Sequence, residues 1–410
     1  MNTAVSWQKR QEQQSPRRVL MIAPTSFFGD YGCHVRILEE ARILQQMGHR
    51  VTVVTYNKGR DVQGLDVRRT LPVPWHTHYE VGSSRHKLAF DALLALKIGA
   101  LMMRERPDVI HAHLHEGALI GHVASRLWRV PMLFDFQGSL TNEMVDHHFL
   151  HPKGRLYNPL YRLEGLLDRS ADAVITSSHL ATRLLRNEFG CRQDVVQTVP
   201  DCVNADLFRP RVRDEAFYAD RASLGLPADA PVIAYVGLLA EYQGLPQLMQ
   251  AAACLRSRHP EVYFLIMGYP GVEHYRHQAA QMGMADHMIF TGRMPYEHLA
   301  RWLGLGDIAV APKLSATEGC GKILNYMSMA MPTVAFETPV AREYLGEEGI
   351  YAPERTGEAL ASSLERILEM PDRGCALGAQ LRKKAIVRYS WAAAGRTITA
   401  IYDWMLKRAM

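Results

Sequence analysis

Residues 307–345 read DIAVAPKLSATEGCGKILNYMSMAMPTVAFETPVAREYL, and this stretch decides the fold. Ile308–Ala311 is a short apolar run with the length and flanks of a buried strand. A loop rich in Ser, Thr and Gly follows, carrying one acid, Glu318, between two lysines, Lys313 and Lys322. Ile323, Leu324, Met327 and Ala330 then recur at helical spacing, so a helix starts near Gly321, and Thr333–Phe336 is the next strand. A strand–loop–helix unit puts its loop at the carboxyl edge of a parallel sheet, where open α/β sheets bind ligands. The helix start offers backbone N–H groups and a positive dipole end that suit a phosphate. Glu318 ahead of it suits sugar hydroxyls, because a carboxylate can accept two hydrogen bonds. From these residues alone, a capping acid at a helix start is an equal reading.

The same alternation runs outward in both directions. Towards the N-terminus of this half, Val232–Val236, Tyr263–Met267 and residues 288–291 read as further strands. The first half repeats the theme with Arg18–Ala23, residues 50–56, 108–112, Met132–Phe136, 173–177 and 195–199. A helix over 33–47, closed by Gly48, joins the first two of these strands. The turn before it holds Gly29, Asp30 and Gly32, but it lacks a G-x-G start and no acid ends the following strand. It is therefore not a dinucleotide fingerprint, and a nicotinamide oxidoreductase is disfavoured. Two doubly wound parallel sheets result, one in each half.

Composition agrees. At 410 residues the chain is too long for one ordinary core and suits two domains of about 200 residues. With 48% hydrophobic and 22% charged residues it is globular. The net charge of +5 permits a basic patch facing anionic lipid or phosphate without calling for nucleic acid. Six cysteines without a C-x-x-C pair read as reduced thiols of a cytoplasmic protein. No run of 18 apolar residues suggests a membrane span, and the polar first 16 residues read as a loose tail.

Two further segments invite specific chemistry. Residues 71–103 hold a helix, capped by Ser83 or Ser84 and flanked by Trp75, Arg85, His86 and Lys87. It is either a core helix or an interfacial element that meets lipid headgroups or a lipid-linked acceptor. The run His113-Leu114-His115-Glu116-Gly117 places two histidines alternately on an extended segment. No third ligand stands at a recognisable spacing, so no metal is expected; imidazole and carboxylate here line a cleft and bind sugar hydroxyls.

These motifs together resemble the retaining glycosyltransferases of family 4. The family's E-G-x-G loop, second acid and A-M-A-x-G-x-P-V-V-A run correspond to Glu318-Gly319-Cys320-Gly321, Asn325 and residues 326–335. Pro200-Asp201-Cys202-Val203-Asn204 and the later Phe208-Arg209-Pro210 resemble the family's crossover between domains, with residues 209–230 as linker. The resemblance implies an α/β GT-B fold, two facing Rossmann-like doubly wound parallel-sheet domains with a cleft between them. The N-terminal acceptor-side domain would span residues 17–205, with a crossover helix at 388–410, and the nucleotide-sugar domain 206–387. It also implies transfer from a nucleotide-diphosphate sugar to a carbohydrate or lipid-linked hydroxyl with retained configuration and without cofactor or metal. Cell-envelope polysaccharide or glycolipid synthesis, in the cytoplasm or at the inner face of the membrane, is the usual setting. Nucleic acid is not a partner.

The implied site follows residue by residue. Glu318 holds donor-sugar hydroxyls, Asn325 the ribose, and backbone around Gly29, Gly32, Gly237, Gly319 and Gly321 the phosphates. Gln137 stands where many members carry a histidine near the reacting sugar. Gln137 and His115 line the reacting centre, with Asp30, Glu116 and Asp135 on the acceptor side. After Val236 the family shows G-R-L-x-x-E-K-G, whose Arg and Lys neutralise the donor diphosphate; this chain has Leu238 and Gln243 at those positions. Lys313 and Lys322 are the expected substitutes. The alternatives are a catalytically inactive nucleotide-sugar or lipid-binding protein, or a sugar phosphorylase or epimerase on the same fold.

Overall fold

The computed structural model describes residues 15–30, 32–73, 87–146, 149–315 and 319–409. Glu318, Trp75, Ser83, Ser84, Arg85 and His86, all singled out above, lie outside the described residues, as does most of the polar N-terminal stretch. The chain divides into two compact units. The first takes the residues up to Gly29, residues 33–200 and those from Trp391 onward; the second takes 30–32 and 201–390.

In the first unit the strands are β1 (Arg18–Ala23), β2 (Arg50–Thr55), β3 (Asp66–Arg69), β4 (Val109–His113), β5 (Met132–Phe136), β6 (Ala173–Thr176) and β7 (Val196–Thr198). The helices between them are α1 (Gly32–Gln46), α2 (Lys87–Arg104), α3 (Leu114–Trp128), α4 (Leu140–Asp146), α5 (Tyr157–Asp168) and α6 (His179–Asn187). All the strands are parallel, in the order β3-β2-β1-β4-β5-β6-β7. β1, β4, β5 and β6 carry apolar side chains on both faces because helices cover both faces.

The second unit begins with α7 (Glu215–Ser223) and continues with β8 (Val232–Val236), α8 (Leu245–Arg256), β9 (Tyr263–Met267), α9 (Val272–Gln281) and β10 (Met288–Gly292). It ends with α10 (Tyr296–Leu303), β11 (Ile308–Ala311), α11 (Lys322–Ser328), β12 (Thr333–Phe336), α12 (Pro339–Leu345), β13 (Ile350–Ala352), α13 (Gly357–Leu368) and α14 (Cys375–Arg388). Its sheet is again parallel, β10-β9-β8-β11-β12-β13. Its core is built from β8, β9 and β11 against α8 and α13, around Leu248, Ile266, Val310 and Leu364.

The last helix, α15 (Trp391–Ala409), belongs to the first unit. It buries Ile398, Ile401, Tyr402 and Met405. It is keyed in place by polar contacts: Tyr402 Oη to His111 Nδ1 at 2.8 Å, Thr399 Oγ1 to His49 Nε2 at 3.1 Å, and Arg17 to Asp403 at 3.1 Å.

Three expectations need correcting. β3 and β13 were not expected; both are edge strands, each paired on one side, and β3 reads DVRR, whose arginines are held in ion pairs with Asp66, Glu105 and Asp61. The polar β3 has no apolar signature, which protects that edge from further pairing, and β13 is only three residues long. Residues 209–230 are not a bare linker, since Asp214 caps α7 by accepting from the Phe217 N–H at 2.9 Å, and Phe217 is buried. Finally, the extended segment stops at His113. Leu114 takes a left-handed φ of 59° and starts α3, so His115 sits in a helical first turn.

Candidate functional site

In the second unit, β8 ends at Val236 and the chain turns through Gly237, whose φ of 148° belongs to the glycine-favouring region. Two tyrosines pin the turn. Tyr235 donates its hydroxyl to the Leu238 carbonyl at 2.8 Å, and the Val236 N–H donates to the Tyr326 hydroxyl at 2.9 Å. Tyr326 lies one helical turn after Lys322 on α11, so both side chains leave the same face of that helix. Lys322 reaches the same turn. Its ammonium donates to Gln243 Oε1 at 3.0 Å and to the Tyr235 hydroxyl at 3.3 Å, and it stands 4.4 Å from the Tyr235 ring centre. A Cβ on Gly237 would come within 2.5 Å of that ammonium, so the absence of a side chain there is what admits the lysine.

The other donor-side residues are placed as follows. Lys313 is buried and donates to the Gly319 carbonyl at 2.8 Å, which ties the far end of the loop to β11. The two lysines have different partners: Lys313 holds the loop, and Lys322 reaches the β8 turn. Gly321 precedes α11, and the Asp201 carboxylate lies 3.7 Å from the position its Cβ would take. An acid thus already stands beside this seven-residue helix start, which lowers its worth as a phosphate cradle. Asn325 is half-buried.

In the first unit, the β1–α1 loop is pinned from below. Thr55 Oγ1 donates to the Thr25 carbonyl at 2.6 Å, and Arg69 donates to the Phe27 carbonyl at 2.6 Å. Gly29 is buried; past it, in the short piece of chain counted with the second unit, Asp30 has a left-handed φ of 61° and Gly32 is exposed at the start of α1.

The β4 and β5 ends hold a buried ionic network instead of a wet acceptor wall. Arg36 of α1 grips Asp135 in bidentate fashion at 2.9 and 2.8 Å and donates to the Val199 carbonyl at 3.1 Å. His113 Nδ1 lies 3.0 Å from the same carboxylate, and the Gln137 amide donates to it at 2.8 Å. Asp135, expected on the acceptor side, is fully buried with its oxygens taken by its own chain. Burial opposes its charge, but Arg36 and His113 outweigh that and hold the carboxyl far below the usual range. Gln137 is half-buried at the rim of this network.

Glu40, His111 and His113 come together here in a geometry that could take a cation. Arg36 already stands 3.2 Å from Glu40, however, and supplies the positive charge itself.

His115 and Glu116 also differ from expectation. His115 is buried, with Nε2 3.2 Å from Asp168 and 3.8 Å from Glu164. Glu164 in turn accepts from the Leu140 and Thr141 N–H groups, capping α4. Glu116 is half-buried in an ion pair with Lys87 at 2.9 Å. Burial opposes the Lys87 charge, yet Glu116 outweighs it and pushes the ammonium up to about 12.

A pH test follows for His115. Burial alone would lower its pKa, but the hydrogen bond and charge of Asp168, with Glu164 behind it, raise it above the ordinary 6.5. The ion pair's contribution to stability is therefore full below 6.5 and is lost as pH rises through the raised value. Melting curves of the natural chain and His115→Gln should diverge most below pH 6.5 and draw together as pH rises through the raised value. A gap that stays constant across that range would rule the linkage out.

The partners Tyr235, Tyr326, Arg36, Glu40, Glu164 and Asp168 escaped the sequence reading. Tyr326 alone had a usable signal, its four-residue spacing from Lys322.

Comparison with known proteins bears on what such a site serves. Residues 31–202 match the family described as "Glycosyl transferase 4-like domain", and residues 230–370 match "Glycosyl transferases group 1". A "D-inositol 3-phosphate glycosyltransferase" of Acidothermus cellulolyticus is 30% identical over 95% of this chain and 90% of its own. A "2-deoxystreptamine glucosyltransferase" of Streptomyces kanamyceticus is 27% identical over 82% and 89%. Among solved structures, sucrose-phosphate synthase of Thermosynechococcus elongatus superposes with a TM-score of 0.79 at 18% identity, covering 96% of this chain and 100% of that one. HepE of Anabaena in complex with UDP and glucose gives 0.75 at 16% identity, covering 93% and 98%.

Proposed function

We propose the reaction of this chain from one premise: it belongs to the family 4 glycosyltransferases, has the GT-B fold and is a glycosyltransferase. The donor is a nucleotide-diphosphate sugar bound on the second unit, and the product keeps the donor's anomeric configuration. The observation that carries this reading is the Lys322 ammonium at the Gly237 turn, 3.0 Å from Gln243. Position 243 is where the family carries one of its two diphosphate-binding cations, and here a lysine from α11 brings an ammonium to that same place. A fixed cation in a partly dry site stabilises the charge that grows on a leaving diphosphate.

The remaining roles follow. Glu318 holds donor-sugar hydroxyls, Asn325 the ribose, and Lys313 keeps the loop between them in register with β11. The leaving phosphate takes the proton of the acceptor hydroxyl, so positioning and charge stabilisation carry the catalysis. The acceptor is a carbohydrate or another polyhydroxylated ring; the relatives named for an inositol phosphate and a deoxystreptamine favour that class. Synthesis of a cell-envelope polysaccharide or glycolipid is the role that fits such a transfer.

A thermal-shift panel of nucleotides and nucleotide sugars, run in EDTA, tests the reading. One nucleoside diphosphate should raise the melting temperature, and its sugar conjugate should raise it further. Glu318→Ala should remove the sugar's increment and leave that of the nucleotide. Turnover of the matching donor, followed by NMR of the anomeric proton, should report retention. No shift with any nucleotide, or an inverted product, would overturn the proposal.

A further inference from the structure

Among the described residues, ten large apolar side chains stand exposed between Leu88 and Leu166. On α3 they form one stripe, Leu119, Val123 and Leu127, at 46, 52 and 69% exposure and four residues apart. Leu96 and Met103 on α2 and Leu163 and Leu166 on α5 add to it. The three helices are neighbours, since α2 packs against α3 and α3 against α5. Scattered single leucines on a surface need no explanation, but a field this broad on one side of a unit does.

The charges around the stripe are of one sign. Among the described residues between 87 and 170, eight lysines and arginines are exposed, including Arg104, Arg126, Arg155 and Arg162, against the single exposed acid Glu105. Glu105 is itself engaged by Arg68 at 3.0 Å. The other acids of these helices are turned inward or half-buried: Glu116 pairs with Lys87, Asp91 accepts from Tyr56 at 2.6 Å, and Asp168 meets His115. An apolar stripe with cations on its flanks and acids withdrawn fits the interface of an anionic bilayer, where leucines enter the acyl boundary and arginines meet headgroup phosphates. It does not fit a second copy of the chain, because a two-fold interface would set the same cations against each other.

We propose that the outward face of α2, α3 and α5 is a docking surface for an anionic lipid membrane. This assignment stands apart from the reaction proposed above. Among the described residues no helix is long and apolar enough to cross a membrane, so the contact is peripheral.

The full chain should co-sediment with vesicles of phosphatidylcholine containing phosphatidylglycerol, and much less with phosphatidylcholine alone. Leu119→Ser combined with Leu127→Ser should lower partitioning by about tenfold, because two buried side chains leave the acyl boundary. Arg126→Glu combined with Arg162→Glu should lower it similarly and remove most of the salt dependence. All four sites are on the surface, so melting temperatures and the nucleotide shift should stay unchanged. Failure to bind the anionic vesicles, or equal binding to both kinds, overturns the proposal. A dimer in solution that the leucine pair dissociates would instead assign the face to a second copy.

Discussion

Lys322→Met is expected to lower kcat about 100- to 1000-fold, the roughly 2.7–4 kcal/mol that a lost charge-stabilising group typically costs. The fold should survive, because methionine keeps most of the aliphatic stem against Tyr235. The distinguishing measurement is rescue. The ammonium and Gln243 Oε1 are 3.0 Å apart, so Gln243→Lys in the Lys322→Met background returns a cation to nearly the same point from the other element. Recovery of a tenfold or greater part of the lost rate would mean that charge at this point matters. No recovery, with nucleotide binding intact, would mean that Lys322 acts through the shape of the Gly237 turn.

The second large effect is on stability. Arg36→Met should destabilise the first unit by about 3–5 kcal/mol, because it strands the buried carboxylates of Asp135 and Glu40 without their cation. The loss should depend on pH. Asp135 is charged in the folded chain at pH values where the unfolded chain has already protonated it, near 3.8. Its contribution is therefore present above 3.8 and fades as pH falls towards its depressed folded value. Urea titrations of the natural chain and the variant should differ most near neutrality and least in acid. Arg36→Met combined with Asp135→Leu should recover part of the loss, since removing both charges leaves less to desolvate. A deficit independent of pH would mean that the guanidinium serves packing and not charge.

Both predictions rest on contacts that are distant along the chain, and this marks how far the residues could be read in order. The parallel architecture was legible. Strands such as Val232–Val236 and Met132–Phe136 are continuous apolar runs, and α1 shows its helical period and its closing Gly48. Those signals are local, because a strand covered on both faces must be apolar throughout. The start of α11 near Gly321, with Lys322 as its first residue, could be read for the same reason.

What the lysine touches could not be read. Gln243 lies 79 residues away from it and Tyr235 87, and only the pairing of β11 with β8 brings them within reach. Likewise Arg36 and Asp135 are 99 residues apart, and the histidines of β4 gave no sign that they face a buried ion pair instead of a ligand. Along the sequence His115 and Asp135 look like polar residues at strand ends, where sites are found. In the folded chain the same polarity is consumed internally, because a buried charge must find its partner within the protein. Periodicity and turn chemistry belong to neighbours in sequence and so determined the architecture. Which charges meet water, and which meet each other, was decided only when the sheets brought distant segments together.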